Sequence, residues 1–158
     1  MRFSTLIFTS ALSVLGFGSP TVLPGTPGAA AIAPREISMM PAAPQWTIEV
    51  LQRACNPADT SCKWSFRIND KSGAPATQCS FTIKGKPASQ TGGAGFKCGV
   101  YTVGAGWSGA FGPGNGFTTL SVVNSQTRNI VWPAYTDKQL AGARVVSPDQ
   151  SYAPVKLA

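Results

Sequence analysis

The sequence contains no histidine. Histidine is the side chain that most readily moves protons near neutral pH, and it is the commonest metal ligand. Its absence removes the Ser-His-Asp triad, the Cys-His pair and every His-based zinc site. A small basic ribonuclease would also lose its usual acid and base. Carboxylates are scarce too: Glu36, Glu49, Asp59, Asp70, Asp137 and Asp149 are the complete set. The four cysteines lack CxxC spacing, which argues against a thiolate metal centre or a redox motif. No N-x-S/T sequon occurs. No apolar run is long enough to be read as a membrane span.

What is present fits an exported chain. Met1-Arg2-Phe3 leads into LIFTSALSVLGFG, a short positive start followed by an apolar run and small residues. This reads as a signal peptide over residues 1–18, and the protein as secreted. Residues 19–44 are dominated by Pro, Gly and Ala and show no hydrophobic period, so they read as a disordered pro-segment or linker. Net charge is +7, and leaving out Arg2, Arg35 and Glu36 brings the remainder to +6. Lys63, Arg67, Lys71, Lys84, Lys86 and Lys97 supply much of it. Such a charge suits an anionic membrane or an acidic wall polymer, and equally it suits plain solubility.

Residues 45–158 carry the folded domain. CKWSFRIN places Cys62, Trp64, Phe66 and Ile68 on one face and Lys63, Ser65, Arg67 and Asn69 on the other. This period of two predicts a half-buried strand. WTIEVLQR is read the same way, with Trp46, Ile48 and Val50 on one face opposite Thr47, Glu49 and Leu51, and ACNPADTS turns between the two. QCSFTIKG is the third strand, with Cys79, Phe81 and Ile83 inward. FKCGVYTV is the fourth, with Phe96, Cys98 and Val100 together. FTTLSVVNS is the fifth, and RNIVWPAY, ended by Pro133, the sixth. TDKQLAG reads as one helical turn capped by Thr136 and closed by Gly142, and RVVSPD and YAPVKL as short closing strands or tails. The fold class is therefore all-β, a small disulfide-stapled β-barrel or β-sandwich with a short helical turn near the C-terminus.

Four cysteines allow three pairings. Cys55 ends the first strand and Cys62 begins the second, so a bond there staples the hairpin. Cys79 and Cys98, inward on the next strands, are candidate cross-strand or cross-core partners.

The stretch GWSGAFGPGNGF, residues 106–117, holds five glycines and three aromatics. A phosphate loop is excluded, because a strand follows and no lysine is present. A nucleic-acid platform is excluded by the lack of charge. Two readings remain. In one, Trp107, Phe111 and Phe117 form a recognition surface for a sugar or an apolar ligand. In the other, which is preferred here, they fill the end of the core around a tight turn at Asn115-Gly116. Asp137 and Asp149 are the only candidate acid pair, and both read more simply as helix-start and turn residues. Neither a catalytic residue nor a metal or cofactor is expected.

WTIEVLQRACNPADTSCKWSFRI, CGVYTVGAGWSGAFGPGNGFTTLSVV and IVWPAYTDKQLAGARVVSPDQSYAP together resemble small secreted fungal proteins of the hypersensitive-response-inducing type, the elicitors and effectors of plant-associated fungi. The resemblance covers nearly all of residues 46–158 and includes the paired Cys55 and Cys62. It implies a compact disulfide-bonded β-barrel, distantly like the Alternaria-type allergen barrels. It also implies recognition by a plant cell-surface or apoplastic target, leading to cell death or defence. It carries no active-site residue over to this chain. The other partner class to weigh is a cell-wall polysaccharide or small ligand.

Overall fold

The computed structural model describes residues 44–158. The expected leader and linker, apart from Pro44, lie outside the described residues. Ten strands occur among them: β1 (Trp46–Cys55), β2 (Ser61–Asn69), β3 (Thr77–Lys84), β4 (Gly93–Cys98), β5 (Tyr101–Ser108), β6 (Phe117–Asn124), β7 (Asn129–Val131), β8 (Ala134–Thr136), β9 (Gln150–Tyr152) and β10 (Val155–Lys156). They form two sheets. One has the order β3-β2-β1-β9, the other β10-β7-β6-β5-β4, with β8 paired to β6 beyond β7. All pairings are antiparallel. The result is sandwich-like and not a closed barrel, so of the two architectures expected from sequence the sandwich is the one found.

The core lies between the sheets. Cys62, Trp64, Phe66 and Ile68 of β2 and Cys79, Phe81 and Ile83 of β3 are all buried, as their alternation requires. Phe81 stacks on Phe96 from the other sheet at 4.1 Å between ring centroids, and Trp46 meets Tyr101 edge-on at 5.6 Å. Aromatic pairs of this kind add directional attraction to the burial of apolar area.

Three expected elements differ. In β1 the register shifts between Glu49 and Gln52, and Val50 adopts a φ of 48°. This bulge turns Val50 outward and buries Leu51, the reverse of simple alternation. FKCGVYTV is not one strand: β4 ends at Cys98 and β5 starts at Tyr101, with Gly99 at φ 57° making the tight reversal. Val100 sits in that turn and is exposed. RNIVWPAY splits into β7 and β8 around Trp132 and Pro133, because Pro133 has no N–H to give and its carbonyl instead accepts the Leu120 N–H at 2.7 Å.

Near the C-terminus a turn runs from Thr136, whose carbonyl accepts the N–H groups of Gln139 and Leu140. A separate 3-10 turn follows at Ala141–Ala143, with Gly142 at φ 70°. RVVSPD contributes only one bridge, Val145 to Gln52, before β9. The chain then closes on both sheets, β9 against β1 and β10 against β7. Among the described residues no helix is long and apolar enough to cross a membrane.

Candidate recognition site

β5 ends at Ser108 and β6 begins at Phe117, directly opposite one another. The glycine-rich segment between them is therefore a hairpin loop with fixed ends. It contains two successive turns, closed by Gly112 N–H to Gly109 carbonyl (3.0 Å) and Asn115 N–H to Gly112 carbonyl (3.2 Å). Gly112 and Gly114 have φ values of 84° and 76°. The tight turn is thus Pro113-Gly114, with proline pre-set for its first corner and glycine for its second, and not the expected Asn115-Gly116.

Gly109 and Gly116 serve another purpose. A Cβ on Gly109 would stand 2.6 Å from the Trp107 ring, and one on Gly116 would stand 2.9 Å from it. The loop backbone clasps the indole, and only glycine permits that approach. The Trp107 Nε1–H donates to Asp137 Oδ2 at 2.9 Å. Asp137 Oδ1 faces the Arg53 Nη1 at 3.3 Å, and the same Nη1 donates to the Ser89 carbonyl at 2.8 Å. Arg53 is only 6% exposed, and its guanidinium carbon lies 5.7 Å from the centroid of the Trp64 ring. Asp137 thus joins a buried cation to the tryptophan at the end of β5. Trp107, Asp137 and the loop border a cleft of about 390 Å3 that also reaches Gln90.

The other aromatics face away from the core. Phe111, at the loop tip, is 72% exposed. Its ring lies 5.6 Å from that of Phe117, which is half-buried at the root of β6. With Asn115, Ala134, Tyr135 and Thr136 they line a shallow cleft of about 220 Å3. Burial, then the neighbouring Tyr152 and Asp149, pushes the Tyr135 phenol well above its ordinary value, so it stays protonated. Filling the core end was the preferred expectation for all three aromatics. It fails for Phe111 and holds only in part for Trp107 and Phe117.

The other residues singled out from sequence have structural partners. Cys55–Cys62 joins residues directly opposite in β1 and β2. Cys79–Cys98 joins β3 to β4 and so ties one sheet to the other. Cys55, Asp59 and Cys62 lie close together, but their two sulfurs are bonded to each other and offer no thiolate. Asp149 accepts the Val50 N–H at 2.9 Å, anchoring the bulge. Asp137 and Asp149 therefore have different partners and do not form a shared acid pair.

Arg53 was not singled out from sequence. Strict alternation places it on the solvent face, and the bulge at Val50 is what turns it inward. Nothing local to WTIEVLQRAC signals that.

A family model described as Effector TSP1 matches residues 47–157 of this chain. A curated protein named Effector TSP1, from Hypocrea virens (strain Gv29-8 / FGSC 10586), is 48% identical over 154 residues, which cover 97% of this chain and 96% of that protein.

Proposed function

The chain belongs to the Effector TSP1 family, and from that premise we propose that it is a secreted, non-catalytic fungal effector that plant cells recognise, answering with a hypersensitive or defence response. The observation that carries the proposal is Phe111: a large apolar side chain held 72% exposed at the tip of an anchored loop, beside a second aromatic. Exposed aromatics on a rigid platform are what a partner protein buries at the centre of an interface. Non-catalytic action is supported by the acids, since Asp137 and Asp149 are occupied by Arg53, Trp107 and the Val50 N–H. The reading calls for no metal and no cofactor.

The test is infiltration of purified, disulfide-intact protein into leaves. The expected result is local cell death or induced defence, lost in Phe111→Ser at an unchanged melting temperature and retained in Asp149→Asn. No response from the folded wild-type protein overturns the elicitor reading. Loss of response in a fully folded Asp149→Asn protein overturns the non-catalytic one. A second reading, a wall-glycan or small-ligand module, is favoured by the cleft of about 220 Å3 between Phe111 and Tyr135. Pull-down on chitin and glucan, abolished by Phe111→Ser, would replace the first reading with the second.

A further inference from the structure

We propose that the cavity between the Thr136–Leu140 turn and the segment entering β9 is a subsite for the carboxylate of a uronic-acid polymer, the acidic polysaccharide of plant cell walls. The cavity measures about 220 Å3 and is lined by Lys138, Gln139, Arg144, Val145, Val146 and Ser147.

Both walls are anchored. On one side Val145 bridges Gln52, and the Val146 N–H donates to the Leu51 carbonyl at 2.8 Å, so this segment continues the β1 edge of its sheet. On the other side the Gln139 side chain accepts the Thr136 N–H at 2.8 Å, which fixes the turn that carries Lys138. Two cations thus border one cavity from backbone that is already ordered, and an arriving anion need not order it.

The charges around the cavity are one-sided. No carboxylate lines it. Asp137 is next to Lys138 in the chain, but its carboxylate is held by Arg53 and Trp107, and Asp149 is turned to the Val50 N–H. The other acids of the described residues are also engaged: Glu49 by Asn69 and Arg67, Asp59 by Ser89, Asp70 by Ser72 and Tyr101. Among the Lys and Arg of the described residues, only Arg53 and Arg67 pair with an Asp or Glu side chain. Lys138 and Arg144 therefore line the cavity without a carboxylate partner, the Arg144 Nε donating to the Ala141 carbonyl at 3.4 Å.

The lining selects among anions. Arg and Lys supply charge-assisted donors for one carboxylate, and the Ser147 hydroxyl can serve a ring hydroxyl. Val145, 50% exposed, offers an apolar wall to the C–H face of a sugar. A repeating polyanion would also be retained by the net positive field of the domain. A lipid headgroup would be better served by an amphipathic helix or an aromatic wedge at the rim, and the cavity has neither.

The experiment is calorimetric titration of the secreted protein with polygalacturonate, fully methyl-esterified polygalacturonate and phosphatidylserine vesicles, each at about 150 mM salt to screen diffuse attraction. Binding is expected for the free acid alone. Lys138→Gln and Arg144→Gln should each weaken it by about tenfold, while Lys71→Gln, an equal loss of charge in the β2–β3 turn, should leave it unchanged. Absence of binding, equal binding of the methyl ester or of vesicles, or an equal loss in Lys71→Gln overturns the proposal. The subsite is independent of the Phe111 surface: Phe111→Ser should retain polygalacturonate binding, so failure of one reading leaves the other to be judged separately.

Discussion

The indole N–H of Trp107 donates to the carboxylate of Asp137 across 2.9 Å, and the other oxygen of that carboxylate faces the buried guanidinium of Arg53 at 3.3 Å. A residue at the end of β5 in one sheet and a buried β1 residue of the other are thus joined through one acid. Trp107→Phe keeps most of the ring but removes the donor, at an expected cost of about 1 kcal/mol. Asp137→Ala leaves Arg53 buried without its carboxylate and should cost about 2–3 kcal/mol. Urea unfolding of the two variants checks the order. Equal losses would mean that Arg53 finds another partner.

The glycines of residues 106–117 should not behave alike. A Cβ on Gly116 would collide with the Asp137 carboxylate and stand 2.9 Å from the Trp107 ring, whereas one on Gly106 would meet nothing within 4 Å. Gly116→Ala should therefore be destabilising, and Gly106→Ala should be neutral or stabilising by about 0.5–1 kcal/mol, since alanine loses less backbone entropy in a strand. Thermal melts of the pair decide it.

These contrasts mark the limit of what the sequence displays. Cys62, Trp64, Phe66 and Ile68 could be placed in the core by alternation, because β2 is regular and its neighbours oppose it without a shift. Leu51 and Arg53 could not, because one bulge reverses the faces of everything after it. The β4–β5 hairpin was hidden because Gly99-Val100 lies inside a continuous apolar pattern. The glycines of residues 106–117 were conspicuous, but their contacts depend on Asp137, thirty residues from Trp107. Composition announced an unusual loop and said little about what it holds.

The two disulfides should differ in worth. Cys79–Cys98 spans 19 residues and Cys55–Cys62 spans 7. On loop entropy alone the longer closure should contribute about 1 kcal/mol more. Peptide mapping without reductant should return these two linkages and no free thiol. Paired Cys→Ser variants should then rank in that order in guanidinium unfolding, and the Cys79/Cys98 pair should also loosen the contact between sheets, seen as faster amide exchange in β4.

Acid should weaken the fold at one identifiable contact. Burial pulls the Asp70 carboxyl upward, but hydrogen bonds from Ser72 and from the Tyr101 hydroxyl at 2.9 Å outweigh it, and the group titrates below its ordinary value of 3.8. A carboxyl lowered by folding contributes stability that is complete above the unfolded-state value and lost as pH falls through the folded one. Stability should therefore hold at neutral pH and decline below about pH 4. Tyr101→Phe removes one of the bonds that lower the carboxyl while keeping the ring against Trp46. In that variant the Asp70 titration, followed by NMR, should move upward, and the acid limb of the stability curve should become shallower. An unchanged Asp70 titration in Tyr101→Phe would show that Ser72 alone sets it, and that the phenol at the edge of the core only packs.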